Sequence, residues 1–104
     1  MAEHLNGQTF YPFLTEHRAV LVDFYRDGCV PCRRVAPLVS QMEAIYRDRV
    51  AVARVNVTAS PELAERWEVV STPTLVVYRS GGEVARHRGA LKKNELQALM
   101  DLAL

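Results

Sequence analysis

Ala19-Val20-Leu21-Val22-Asp23-Phe24-Tyr25 and, after Arg26-Asp27-Gly28, Cys29-Val30-Pro31-Cys32 constrain this chain more than any other segment. The first run is β-branched and aromatic, the composition of a buried strand. The second begins a stretch in which Val35, Leu38, Val39, Met42, Ile45 and Tyr46 recur at helical spacing, predicting a helix from about Pro31 to Arg47. Pro31 fits the first turn of that helix, where a missing N–H costs nothing. Pro37 falls inside it, which predicts a kink. A strand therefore delivers two thiols, three positions apart, to the start of a helix. These are the only cysteines of the chain, and the arrangement suits reversible disulfide chemistry.

The remaining pattern alternates strand and helix without repeats or a linker, so one domain spanning 1–104 is expected. A strand is expected over Val50 to Val57. A short helix should follow, with Ser60 as its cap and Pro61 at its first position, ending near Trp67. Thr74 to Tyr78 reads as a strand, Ser80-Gly81-Gly82 as a turn and Glu83 to Arg88 as the hairpin partner. Leu91, Leu96, Leu99, Met100 and Ala103 mark a last amphipathic helix. Before Val20 we expect a short edge strand near Thr9 and a brief helix over Tyr11 to Glu16. Helices between the first strands and a hairpin at the end give an α/β fold: a central mixed β-sheet flanked by helices on both faces.

The formal charge is +1, and neither nucleic acid nor an acidic membrane is held without a concentrated basic face. Arg33-Arg34 and Lys92-Lys93 read as solvated helix surface. No apolar stretch approaches the roughly 20 residues that span a bilayer. The N-terminal segment lacks a basic start followed by an apolar core, so a cytoplasmic location is expected. In a reducing compartment a cysteine pair is catalytic or metal-binding more often than structural. Closing so short a loop contributes at most about 2 kcal/mol by chain entropy, which is little for a domain with its own core. Structural zinc needs four ligands, and His4, His17 and His87 show no metal-like pairing with the cysteines. A cluster shared between two protomers has no positive support in the residues.

Only a thiolate attacks a disulfide efficiently, and an ordinary thiol with a pKa of about 8.5 is a few per cent ionised at neutral pH. Cys29, at the helix start, meets free backbone N–H groups and the positive end of the helix dipole, so it is the expected nucleophile. Cys32, one turn further on, is placed to attack the mixed disulfide and release the partner. Asp23 sits among apolar neighbours; burial disfavours its charge and raises its pKa towards a value useful for proton exchange.

Asp23-Phe24-Tyr25, Cys29-Val30-Pro31-Cys32-Arg33, Ala36-Pro37, Val55-Asn56-Val57, Thr72-Pro73-Thr74, Gly82-Glu83-Val84 and Gly89-Ala90-Leu91 resemble the thioredoxin family in order and spacing. The resemblance covers the chain from about Ala19 onward and implies the thioredoxin fold. It implies an enzyme without a bound cofactor, a protein-disulfide reductase served by a separate thioredoxin-reductase-like electron donor and acting on disulfide-bearing proteins; nothing in the sequence requires more than a monomer. It places Asp23 beneath the second cysteine, assisting its deprotonation. It makes Thr72-Pro73 a cis-proline loop opposite the reactive cysteine, with the Thr72 backbone pairing an extended substrate segment. Gly28, Val30, Pro31, Thr72, Pro73 and Gly89 are thereby substrate-contact candidates, with Arg54 near the carboxylate. The family usually has tryptophan where this chain has Gly28, glycine where it has Val30, and often a further tryptophan where it has Tyr25. Gly28 removes a large apolar docking surface, and Val30 stiffens the dipeptide between the thiols. Such changes shift the balance of dithiol and disulfide, at about 1.4 kcal/mol per 30 mV, so an oxidase or isomerase variant is an alternative. A binding or scaffold module with regulatory cysteines is the other.

Overall fold

The computed structural model describes residues 2–104. In chain order it contains β1 (Glu3–Leu5), α1 (Phe10–Glu16), β2 (Ala19–Tyr25), α2 (Val30–Ile45), β3 (Ala51–Asn56), α3 (Pro61–Arg66), β4 (Thr74–Arg79), β5 (Gly82–Arg88) and α4 (Lys93–Asp101). The five strands form one sheet in the order β1-β3-β2-β4-β5. β1 and β2 both run parallel to β3, whereas β4 is antiparallel to both β2 and β5. The mixed sheet expected from the sequence is thus present, with the cysteine-bearing helix leaving the end of its central strand.

Successive side chains of a strand point to opposite faces, and β2 obeys this closely. Val20, Val22 and Phe24 join Phe10 and Leu14 of α1 and Leu63 of α3 in one core. Ala19 and Leu21 join Val35, Val39 and Met42 of α2 and Leu96 and Met100 of α4 in the other. By the same alternation Asp23 points to the α2 side. Because both faces are covered, β2 reads as an almost continuous apolar run with a carboxylate inside it.

The N-terminal expectation needs correction. No strand forms near Thr9: the edge strand is β1, paired with β3 at Leu5↔Val55. Residues 6–9 turn instead, because Asn6 Oδ1 accepts the N–H groups of Gln8 (2.8 Å) and Thr9 (3.1 Å), and Thr9 Oγ1 accepts that of Asn6 (2.9 Å). Short polar side chains that satisfy nearby backbone groups favour turns over ladders. Ser60 occupies the cap position of α3, but its hydroxyl makes no cap hydrogen bond. The Leu63 N–H bonds to the Ser60 carbonyl at 3.2 Å instead. Helix α2 starts at Val30 and ends at Ile45, with Pro37 accommodated inside it. The β4–β5 hairpin turns on Ser80 and Gly81, both at positive φ (52° and 84°), and Gly82 already belongs to β5. Positive φ at both central residues is the twist-matched geometry of two-residue hairpins.

Candidate active site

Cys29 is the N-cap residue of α2, and its Sγ accepts the N–H of Cys32 at 3.2 Å. The cap position that sequences usually fill with serine, threonine or aspartate is here taken by sulfur, which is aimed at the donors that favour a negative charge. Its backbone carbonyl accepts the Arg33 N–H at 3.1 Å and so starts the helix. Cys29 and Cys32 are joined as a disulfide with Cα atoms 5.2 Å apart. Both are buried, Cys29 at 6% exposure and Cys32 at 2%.

The opposite wall of Cys29 comes from a segment more than forty residues away. Thr72 Oγ1 lies 3.5 Å from Cys29 Sγ, within reach to donate, and the Thr72 carbonyl oxygen lies 3.6 Å from it. The Thr72–Pro73 peptide bond is cis. The Pro73 carbonyl accepts the N–H of Gly89 at 2.8 Å, and the Thr74 hydroxyl donates to the Ser71 carbonyl at 2.6 Å. Gly89, at φ 93°, therefore ties the loop down from the far end of β5. Gly28, immediately before Cys29, has φ 74° with open space where a Cβ would stand, and Val30 is 48% exposed beside it.

On the face of β2 that α2 covers, Asp23 is fully buried. Its Oδ2 accepts from Arg54 Nε at 3.1 Å. Oδ1 has no hydrogen-bond partner among the described residues. Burial pushes the carboxyl up to about 6, and the charge and hydrogen bond of Arg54 pull the other way without cancelling it. The Arg54 guanidinium carbon lies 3.9 Å from the centre of the Tyr25 ring. Arg54 and Cys32 line one cleft, so the carboxylate's partner and the second cysteine share a water-accessible space.

The structure thus brings Cys29, Cys32, Thr72, Pro73 and Gly89 together at one end of the sheet. It buries Asp23 on the side of β2 that α2 covers, and leaves Gly28 and Val30 on the rim. The sequence reading missed two contributors. Tyr25 is a platform for Arg54, and the signal was there: both residues lie on strands beside Asp23, but only the β2–β3 register (Asp23↔Arg54) makes them neighbours. The Thr72 hydroxyl, rather than the Thr72 backbone alone, approaches Cys29 Sγ.

A five-stranded mixed sheet with helices on both faces, carrying a cysteine pair at a helix start against a cis-proline loop, defines a thiol–disulfide exchange protein of α/β architecture. A family model described as Thioredoxin matches residues 1–102, and the chain belongs to the thioredoxin family. It is 34% identical to a thioredoxin of Acidithiobacillus ferridurans over 91 residues, covering 88% of this chain and 84% of that one. It is 39% identical to thioredoxin 1 of Synechococcus elongatus over 82 residues, covering 79% and 77%. A bifunctional thioredoxin reductase/thioredoxin of Mycobacterium leprae is 36% identical over 101 residues, 97% of this chain, which spans only 22% of that protein. The solved structure of Plasmodium falciparum thioredoxin superposes with a TM-score of 0.89 at 27% identity, covering 96% of this chain and 97% of that one. With its cysteines at disulfide distance, this family member carries a redox-active centre of the protein-disulfide-reductase type. No helix among the described residues is long and apolar enough to cross a membrane.

Proposed function

We propose that this chain acts as a single domain, residues 1–104, and as a monomeric dithiol reductant of protein disulfides. Cys29 is the nucleophile, Cys32 the resolving thiol and Asp23 the proton acceptor behind it. The observation that carries this reading is the environment of Cys29 Sγ: an N-cap position, one backbone N–H at 3.2 Å and the Thr72 hydroxyl at 3.5 Å. All of these favour negative charge on sulfur.

In the reduced protein the Cys29 thiolate attacks one sulfur of the substrate disulfide. The substrate S–S bond breaks, its second sulfur leaves as a thiolate and takes up a proton, and a Cys29–substrate disulfide remains. Cys32 then gives its proton to the Asp23 carboxylate, directly or through water in the cleft that Cys32 shares with Arg54. Its thiolate attacks Cys29 Sγ and breaks the mixed disulfide. The substrate leaves with both sulfurs reduced, and two electrons have passed from the Cys29–Cys32 dithiol, which becomes the disulfide. A carboxyl near 6 suits this exchange, since it is mostly ionised at neutral pH yet basic enough to accept a proton.

Gly28, Val30, Pro31, Thr72, Pro73 and Gly89 form or brace the surface against which an extended substrate segment rests. The dithiol is regenerated by an electron donor of the thioredoxin-reductase type; the Mycobacterium leprae relative, whose name joins the two activities, supports that pairing. A reducing compartment such as the cytoplasm suits the role.

The test is reduction of insulin disulfides together with the redox midpoint of the pair in glutathione or dithiothreitol buffers. Turnover should nearly vanish in Cys29→Ser, whereas Cys32→Ser should accumulate mixed disulfides with partners. A midpoint more reducing than the cytosolic glutathione poise fits a reductant. A distinctly more oxidising one would assign an oxidase or isomerase role.

A further inference from the structure

The cleft beside Cys32, about 220 Å³ in volume, is lined by Arg26, Asp27, Gly28, Arg33 and Arg54 as well as Cys32 itself. Three guanidinium-bearing residues converge on a small space in a chain whose formal charge is only +1, so positive charge is concentrated at the reactive end. Arg54 is committed to Asp23. Arg26 and Arg33 are exposed, and among the described residues neither guanidinium group takes part in a hydrogen bond or ion pair. The one acid on the cleft, Asp27, faces the Asn56 side-chain amide, whose Nδ2 lies 3.4 Å from Asp27 Oδ2. Gly28 lines the same cleft and has open space where a side chain would stand. The first turn of α2 adds the positive end of a 16-residue helix.

We infer that this cleft is a specificity site for acidic partners: it receives a carboxylate side chain that flanks the disulfide of the protein being reduced, with Arg26 and Arg33 as its cationic walls. The inference rests on the reductase reading and deepens it. Planar guanidinium groups bind carboxylates through paired hydrogen bonds. Complementary charge around a reactive pair acts chiefly on the rate of encounter and on the choice of partner. A protein without the usual large apolar residue before its first cysteine thus selects partners by charge on the Cys32 side.

The experiment uses two disulfide-bonded peptides of equal length, one with Asp-Glu flanking the cysteines and one with Lys-Lys. Each is reduced by the full chain in single-turnover stopped flow, and the quantity read is the acidic-to-basic rate ratio within one protein, which cancels changes in the thiol chemistry itself. At low salt the wild-type ratio should be about tenfold. At 0.5 M salt, where screening acts over about 4 Å, it should fall to within about twofold. Arg26→Glu/Arg33→Glu should invert it. Arg34→Glu makes the same charge change just outside the cleft and should lower the ratio much less than Arg33→Glu. A wild-type ratio near one, or equal losses in Arg33→Glu and Arg34→Glu, would overturn the inference. If neither peptide is reduced, the reductase reading fails, and fluorescence anisotropy with the same peptides carrying serine for cysteine decides the cleft. Tighter acidic-peptide binding that is lost in the double variant sustains it, and equal binding of both peptides rejects it.

Discussion

Arg54 Nε sits 3.1 Å from Asp23 Oδ2 across the β2–β3 ladder, while the same guanidinium lies 3.9 Å from the centre of the Tyr25 ring. One cation is thus held between a buried carboxylate and an aromatic face. The Tyr25 hydroxyl in turn lies 3.4 Å from His4 Nδ1 on β1. Arg54 can move little without losing either the ion pair or the stacking, each of which contributes more where water is partly excluded. The carboxyl of Asp23 is therefore tuned by a partner that is itself fixed.

The first consequence concerns stability against pH. The carboxyl of Asp23 is pushed up to about 6 by burial, with Arg54 opposing, whereas an unfolded aspartate titrates near 3.9. Between about pH 4 and 6 the native state keeps a proton that the unfolded chain has released, so Asp23 costs stability progressively as pH rises through that window. Asp23→Asn should therefore be more stable than the wild type by up to about 3 kcal/mol at pH 7, with the gap closing near pH 4. Urea unfolding of the oxidised proteins across that range checks this. A gap independent of pH would mean that Asp23 does not carry the shift. The same variant should slow the release of substrate from the mixed disulfide.

Arg54→Met removes both influences that pull the Asp23 carboxyl down. Its titration should move above that of the wild type, and the pH dependence of the Cys32 step should move with it. Carboxyl carbon chemical shifts of labelled aspartate read the first effect, and single-turnover kinetics the second. An unchanged Asp23 titration would show that Arg54 acts only through packing.

Gly28→Ala should cost about 1 kcal/mol, because the residue stands at φ 74° with no atom near the new Cβ, leaving backbone strain as the only penalty. Denaturant midpoints at constant m-value measure it. A much larger loss would mean that the added methyl group disturbs the Cys29–Cys32 turn.

Tyr78 is fully buried against Phe10 and Trp67, yet its hydroxyl has no hydrogen-bond partner among the described residues. Tyr78→Phe keeps the ring contacts and removes an unsatisfied polar group, so it should leave stability unchanged or raise it by up to about 1 kcal/mol. A clear loss on thermal unfolding would reveal a buried water bonded to that oxygen.

What could be read in the sequence followed from periodicity and special residues. β2 and α2 carried long, one-sided patterns, and Asp23 declared its burial by interrupting six apolar neighbours. β1 is only three residues long; it exists because β3 offers an edge to pair with, and no three-residue pattern contains that information. Thr9 sits in a turn because of hydrogen bonds from Asn6, a local effect that propensity alone did not separate from a strand end. The convergence of Arg26, Arg33 and Arg54 depends on the β2–β3 register and on the direction in which α2 leaves the sheet. Arg33 therefore read as ordinary helix surface.

The cysteine pair belongs to residues 29–32, but the Thr72 wall that faces Cys29 is braced through Gly89. During synthesis the thiols emerge from the ribosome before β4 and β5 exist, and a domain folds as a unit. Until the hairpin docks, the chain is a bare dithiol on a nascent helix, without the loop that flanks its sulfur and aligns a partner. Reductase activity should thus be a late signature of completed folding, and proteolytic loss of the last third should leave reactive cysteines that have lost their selectivity.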